Sequence, residues 1–169
     1  MDHTNSAAAS EVTHEDPRYV GPPMEGAATI VVQSRFGPLE IDPAKAVLFE
    51  NGLFGFSDCR RFALTELNSP GYPHLKVLQC LDDTEVAFLV LPLGPTNALI
   101  ERPDIVAACD SIGMAEDDLG ILVMVTIRAT EKGPSISANL CAPLLIDTAS
   151  RLGIQYVLSS EKYPIRYPL

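Results

Sequence analysis

The sequence predicts a mainly β protein, a small antiparallel barrel-like or sandwich domain with one or two short helices. Its apolar runs are short and rich in β-branched residues, and turn-forming residues separate them. Two pairs of these runs, within 74–92 and 120–146, are joined closely enough to form antiparallel hairpins. The 14 prolines fit strand ends and edges, where a missing amide donor is tolerated. Closely joined hairpins favour a barrel or a sandwich.

The first strands are predicted directly after residue 27. The run "ATIVVQSRFG" ends at Gly37-Pro38, and two further short strands follow in "PLEIDPAKAVLFENG", where Asp42-Pro43 interrupts them. The next stretch, "NGLFGFSD", holds two glycines and two phenylalanines among turn formers. It therefore predicts a tight loop pinned by its own side chains. "RRFALTEL" is predicted as a strand that leads into the first hairpin.

Helical spacing occurs around residues 103–112. Pro103 suits a first helical turn, and Gly113 is expected to end the helix. Four apolar side chains share one face of this segment: Ile105, Val106, Cys109 and Ile112. The acidic "MAEDDLG" that follows predicts another short helical turn before the second hairpin. The chain then turns through "DTASRLG" into "IQYVLSSEKY" and closes with "PIRYPL".

The charge of the chain argues against nucleic acid as a direct ligand. A polyanion is bound by Lys and Arg contacts that release counterions, whereas here 22 acidic residues face 12 basic ones, for a formal net charge of −10. Acidic residues outnumber basic ones both before and after residue 27. This balance suits a basic protein partner, and it is equally consistent with solubility alone.

Composition divides the chain into an acidic tail and a folded domain. Residues 1–27 are rich in Ala, Ser, Pro and acids and lack apolar periodicity, so they predict a disordered tail. Residues 28–169 are expected to form a single domain. The start has no basic and apolar segments of a signal peptide, and the apolar runs are too short to cross a bilayer. A cytoplasmic protein without a membrane contact is predicted.

Two groups of residues are candidates for catalysis. Cys141 in "SISANLCAPLLID" resembles a nucleophile beside an orienting Asn139, but a reactive thiol needs a nearby His or a helix N-terminus, and only His74 lies beyond the tail. We interpret this stretch as a core strand, which Pro143 makes irregular or edge-lying. The Asp82/Asp83 pair is interpreted as a turn, since adjacent turn residues point apart. An enzyme that uses either group remains the alternative hypothesis.

No cofactor or metal is predicted. The cysteines at 59, 80, 109 and 141 form no C-x-x-C pair, and the histidines have no ligand spacing, so free, mostly buried thiols are expected. A small barrel that binds a cofactor such as flavin is a further, less favoured hypothesis.

Two kinds of residue are candidates for binding another protein. Asn139 is a polar amide in an apolar run, so it either ties two loops together or presents itself at a binding surface. Phe54 and Phe56 are either core anchors of their loop or an exposed aromatic patch, and aromatic side chains on loops are frequent binding anchors.

Several stretches, in the right order and spacing, resemble the flagellar assembly factor FliW family. "RFGPLEID" is similar to the opening strands of that family and "LFENGLFGF" to its phenylalanine–proline–glutamate–glycine loop. "LQCLDDTEVAFLVL" is similar to its hairpin, and "SANLCAPLLID" to its threonine–alanine–asparagine–leucine–x–alanine–proline strand. "GIQYVL" and the terminal "YPIRYPL" complete the series. The resemblance covers residues 30–169.

The resemblance implies a non-enzymatic regulator with two protein partners. FliW proteins bind flagellin and the RNA-binding translational repressor CsrA, which they antagonise allosterically, away from its RNA surface. This chain is accordingly expected to couple the flagellin level to flagellin translation. The candidate partner-binding residues are Glu50, Asn51, Phe54, Phe56, Asp82, Asp83 and Asn139.

The chain departs from the family pattern at four positions. Glu50, Asn51 and Phe54 stand where the family usually has Pro, Glu and Pro, and Tyr167 replaces a usual His. The contact surface of the 50–56 loop is therefore expected to differ from that of typical members.

Overall fold

A computed structural model describes residues 28–94 and 98–169. The predicted acidic tail, residues 1–27, lies outside the described residues. Within them the chain forms eleven strands and one α-helix. In chain order these are β1 Ile30–Ser34, β2 Gly37–Ile41, β3 Val47–Leu48, β4 Arg61–Glu66, β5 Lys76–Cys80, β6 Ala87–Leu93, α1 Arg102–Ile112, β7 Leu119–Thr130, β8 Gly133–Ala138, β9 Leu144–Asp147, β10 Leu152–Gln155 and β11 Tyr167–Pro168.

Seven of these strands close into a barrel. The sheet runs β7-β6-β5-β4-β3-β10-β9, and β9 pairs again with β7, which closes the ring. Every pair in the ring is antiparallel except β3–β10, which is parallel and joined at Leu48 and Leu152. The strands β8 and β11 extend the sheet beyond the ring from the second half of β7. The prediction of a mainly β, barrel-like fold is confirmed.

The inside of the barrel is filled by side chains that alternate along each strand. Phe62 and Phe49 meet edge to face, with ring centroids 5.6 Å apart, and both are almost fully buried. The same cluster includes Leu78, Val90, Leu122, Leu144 and Ile146. A barrel of this size is just wide enough for its side chains to fill, so its interior is a packed core.

Two outer layers cover parts of the barrel wall. The β1–β2 hairpin packs the buried Val32, Leu39 and Ile41 against outward-facing residues of β4, β5 and β6. On another side α1 packs Ile105, Ala108 and Cys109 against β7 and β9. The outward faces of β3 and β10 are not covered by these two layers.

The predicted helix is confirmed, but the second helical turn is wrong. Gly113 ends α1 in the left-handed region, with φ of 67°. The "MAEDDLG" segment forms a turn that leads into β7. The backbone oxygen of Asp118 accepts hydrogen bonds from Thr148 N at 2.9 Å and Thr148 Oγ1 at 2.8 Å. These bonds tie the segment to the β9–β10 connection. A short 3-10 helix lies elsewhere, at Pro43–Lys45.

The prediction of one continuous strand over "SISANLCAPLLID" is wrong. Its two ends, β8 and β9, both pair with the same edge of β7, where Ala138 lies opposite Val125 and Leu144 opposite Leu122. Five residues, 139–143, therefore stand opposite only two residues of β7. They form a bulge, which we call the 139–143 bulge, and this places Cys141 in a bend of the chain. The irregularity expected from Pro143 is confirmed.

Candidate protein-binding surface

The candidate residues lie on connections at one end of the barrel. The β3–β4 loop carries Glu50, Asn51, Phe54 and Phe56, and the β5–β6 turn carries Asp82 and Asp83. Since β4 and β5 are antiparallel, with Phe62 opposite Cys80, the loop and the turn share one end. The 139–143 bulge precedes β9 at the same end, because Ala138 lies opposite Val125 and Val125 opposite Leu89 of β6. The structure thus brings the three connections together.

The β3–β4 loop is a tight turn, as predicted. Leu53 and Phe56 exchange two backbone hydrogen bonds, of 3.3 and 2.7 Å. Gly52 has φ of +66° and Gly55 has φ of +83°, which is backbone that residues with a side chain rarely adopt. Gly52 is also confined, because a β-carbon there would lie 2.3 Å from the carbonyl oxygen of Phe56. Both glycines are therefore required by the loop.

The two phenylalanines of this loop have different surroundings. Phe54 is 61% exposed at the tip of the loop. Phe56 is 39% exposed and packs its ring edge to face against Phe88 of β6, with centroids 5.1 Å apart. Phe54 therefore presents an aromatic ring to solvent, whereas Phe56 partly anchors the loop to the barrel.

Gln155 connects the loop to the 139–143 bulge. Its Oε1 accepts a hydrogen bond of 2.9 Å from the backbone N–H of Phe54, and its Nε2 donates to the carbonyl oxygen of Ala142 at 3.5 Å. Gln155 is the last residue of β10, so one strand end holds both connections in place.

The Asp82 carboxylate fastens the β5–β6 turn to the start of β4. Its Oδ2 accepts hydrogen bonds of 2.8 Å from the backbone N–H groups of Arg60 and Arg61, and its Oδ1 accepts one of 2.8 Å from Arg61 Nε. Burial raises the pKa of Asp82, but these hydrogen bonds and the charge of Arg61 outweigh it, so the pKa lies below its usual value. Asp83 Oδ1 instead accepts from the backbone N–H of Glu85 at 3.0 Å. The two carboxylates thus accept hydrogen bonds from different donors.

Asn139 holds the 139–143 bulge in shape. Its Oδ1 accepts hydrogen bonds from the backbone N–H groups of Cys141 at 3.1 Å and Ala142 at 3.2 Å. Its own N–H donates to the carbonyl oxygen of Met124 at 2.8 Å, which keeps the chain attached to β7. The side chain, which is half-buried, thus bonds within its own bulge and does not tie two loops together, and a role at a binding surface stays a prediction.

Among the described residues, no imidazole lies beside Cys141. It is 7% exposed, and its Sγ donates to the carbonyl oxygen of Leu158 at 3.5 Å. His74, the histidine within the described residues, lies just before β5 and therefore at the opposite end of the barrel. All four cysteines are buried free thiols, as predicted.

An open groove of about 270 Å³ runs along the outer face of β10, and we call it the β10 groove. The β3–β4 loop borders it, and so do the C-terminal end of α1 and the β9–β10 connection. Its lining residues are Leu48, Glu50, Asn51, Gly52, Ile112, Gly113, Met114, Asp147, Ser150, Leu152, Gly153 and Ile154. Leu152 and Ile154 are 43% and 36% exposed, so apolar side chains form an open floor.

The rim of the β10 groove is negative. Glu50 is exposed, and the Asp147 carboxylate accepts hydrogen bonds from the backbone N–H groups of Ala149 at 2.9 Å and Ser150 at 3.0 Å. Hydrogen bonds from Ser150, followed by that from Ala149, lower the pKa of Asp147. The last turn of α1 carries no basic residue, so the partial negative charge of the helix end at Gly113 is not compensated by its own helix.

A second open groove of about 510 Å³ contains none of the candidate residues. It lies between the β1–β2 hairpin and the strands β6 and β7. Arg35 stands over the ring of Phe36 at its border, 5.2 Å from the centroid. This groove is larger than the β10 groove, but its volume gives no reason to associate it with the candidate binding residues at the end of the barrel.

Sequence reasoning missed Leu152, Ile154 and Gln155. One signal for the first two was present, since a glycine stands between two large aliphatic residues in "LGI". A small residue between large ones in a short strand indicates that the small one faces a crowded side. Gln155 carries no comparable signal, because its role depends on the position of the Phe54 backbone.

The described part of the chain contains no cluster of three or more His, Cys, Asp or Glu side chains that could hold a metal ion. Among the same residues, no helix has the length and apolar character needed to cross a bilayer.

Comparison with known proteins shows the family. The family model described as FliW protein matches residues 30–169. The flagellar assembly factor FliW of Syntrophotalea carbinolica is 32% identical over 141 residues, 82% of this chain and 96% of that protein. That of Caldicellulosiruptor bescii is 33% identical over 144 residues, 82% of this chain and 90% of that protein. A crystal structure of the flagellar assembly factor FliW has the same fold, with a TM-score of 0.59 at 24% identity over 83% of this chain and 96% of that one. The predicted resemblance is thus confirmed, and the chain belongs to the FliW family.

Proposed function

We propose that this protein is a cytoplasmic flagellar assembly factor that works by binding other proteins and has no catalytic activity. Its partners are a CsrA-type RNA-binding translational repressor and flagellin. Binding of the repressor relieves the repression of flagellin synthesis by an allosteric route. Rising flagellin then recaptures the factor and restores repression.

Membership of the FliW family carries this proposal. The arrangement of the barrel end supports it, because Phe54 exposes an aromatic ring on a loop that is fastened by two backbone hydrogen bonds between Leu53 and Phe56 and by the side chain of Gln155. A rigid exposed anchor of this kind loses little conformational entropy on binding. The negative charge of the chain favours a basic protein partner and disfavours direct contact with RNA.

The test is a binding experiment with the purified full chain, the repressor and flagellin. We expect a stable complex with the repressor by size-exclusion chromatography and calorimetry, and excess flagellin should release the repressor. The complex should also lower the affinity of the repressor for the flagellin mRNA. A chain that binds neither protein would remove the proposal.

A further inference from the structure

We propose that the β10 groove docks a positively charged, amphipathic segment of a protein partner. The inference rests on the proposed function, because it assigns a surface and a binding chemistry to the repressor, one of the two proposed partners.

The floor of the groove is an apolar surface on a part of the barrel wall that neither outer layer covers. The β1–β2 hairpin covers outward-facing residues of β4, β5 and β6, and α1 covers outward-facing residues of β7 and β9. On β10, Leu152 and Ile154 face outward with about two-fifths of their surface in solvent. Burying such side chains gains about 25 cal/mol per Å² of apolar surface, so this face stabilises a complex when a partner covers it.

The packing of β10 explains why these side chains point outward. Gly153 lies between them and faces the barrel interior, where the ring of Phe49 and the Cγ1 of Val47 leave no space for a β-carbon. Since successive residues of a strand face opposite sides, Leu152 and Ile154 are fixed on the outside. The apolar floor is therefore a rigid part of the barrel.

The negative charge around the groove favours a partner segment that carries positive charge. Glu50 and Asp147 are its charged lining residues, and the uncompensated C-terminal end of α1 adds to them. Arg151 follows the lining residue Ser150 in the chain, but its guanidinium donates to the carbonyl oxygen of Ala44. An apolar floor with a negative rim is complementary to a segment whose apolar side chains are flanked by Lys or Arg.

The volume and the charge also favour a basic protein segment over other occupants. At about 270 Å³ the open groove is smaller than the roughly 300–1,000 Å³ of typical small-molecule sites. A second copy of this chain would bring another acidic surface to an acidic rim, given the net charge of −10. The N-terminal segment, which carries five acids and one arginine in residues 1–27, meets the same repulsion.

The experiment measures the affinity of the full chain for the purified repressor. One variant, Ile154→Asp, places a charge on the apolar floor, and a second, Glu50→Lys, reverses the rim at an exposed position where folding is not at risk. Two controls match them: Val31→Asp changes an aliphatic residue that is 61% exposed on β1, and Glu131→Lys reverses an exposed acid in the β7–β8 turn. Melting temperatures establish that all four variants are folded.

We expect both groove variants to weaken binding by about tenfold or more, as central interface substitutions do, and both controls to stay within about twofold. Wild-type binding should weaken as the ionic strength rises, and Glu50→Lys should reduce that dependence. Groove variants that bind the repressor as the wild type does would overturn the inference. So would losses confined to flagellin, or a wild-type dimer that Ile154→Asp dissociates. A wild type that binds neither protein would instead overturn the proposed function.

Discussion

Gly153 of β10 lies directly against the ring of Phe49, such that a β-carbon at position 153 would stand 2.6 Å from the ring carbons Cε1 and Cζ. The ring is 1% exposed and is also held edge to face by Phe62. Because interiors are close-packed, the ring has little space into which it can move. The contact therefore fixes the side of β10 that faces the core, and with it the residues that face the β10 groove.

Replacing Gly153 by alanine should destabilise the protein. The added methyl group overlaps a buried ring, and overpacking of this kind costs about 1–3 kcal/mol of the free energy of unfolding. Urea unfolding followed by circular dichroism measures the change. The matched control is Gly71→Ala, where a β-carbon meets nothing within 4 Å and φ lies outside the left-handed region. An equal stability of the two variants would show that the Phe49 contact is not confining.

Asp82 should stabilise the barrel end in a pH-dependent way. Its folded-state pKa is lowered, so the stabilisation is fully present above the unfolded-state pKa and is lost as the pH falls through the folded-state value. Asp82→Asn should therefore cost about 1.5–3 kcal/mol near pH 7, the range for hydrogen bonds to a charged group, and clearly less near pH 3.

Urea titrations at the two pH values test this expectation for Asp82. Asp58→Asn, at an exposed position of the same β3–β4 loop, serves as the control and should change the free energy of unfolding by less than about 0.5 kcal/mol. A cost of Asp82→Asn that does not decrease on acidification would contradict the assignment of the three hydrogen bonds to the ionised carboxylate.

Asn139 should be replaceable by a residue that keeps its acceptor. Asn139→Ala removes the oxygen that binds the N–H groups of Cys141 and Ala142, at a cost of about 1–2 kcal/mol. Asn139→Asp keeps an acceptor at this position and should retain most of the stability. Thermal unfolding of both variants tests whether Asn139 holds the 139–143 bulge in shape. If the aspartate variant is folded but binds the repressor much more weakly, Asn139 also contacts the partner.

The sequence was sufficient to predict the elements whose conformation depends on neighbouring residues alone. The loop with Gly52 and Gly55 and the end of α1 at Gly113 follow from backbone preferences, and the β5–β6 hairpin follows from two apolar runs with a short turn between them. The position of Glu50 and Phe54 on a loop was predictable in the same way.

Long-range packing decided the features that the sequence did not reveal. The 139–143 bulge exists because β8 and β9 both pair with β7, and a pattern within "SISANLCAPLLID" does not show which strand is its partner. The parallel contact between Leu48 and Leu152 joins segments about 100 residues apart. The glycine in "LGI" indicates the outward direction of Leu152 and Ile154, but the β10 groove also needs the β3–β4 loop and the end of α1 beside them, which no local pattern shows.

The four thiols provide a direct test of the enzyme hypothesis. Burial, followed by the hydrogen bond and charge of Cys80 and the charges of Asp83 and Asp82, raises the pKa of Cys59 to about 12. Burial also raises the pKa of Cys109. Cys141 is held among buried residues with its Sγ directed to Leu158. Since the thiolate is the reactive form and access is needed, native thiols should react slowly with a disulfide reagent.

Unfolding in guanidinium chloride should release all four thiols at once, and alkylation with mass spectrometry identifies each of them. Cys141→Ala is the informative variant, because it should leave partner binding unchanged at temperatures well below its melting point. If Cys141 in the native protein instead reacts faster than an ordinary exposed thiol, and if its loss abolishes turnover of a substrate, the protein is an enzyme.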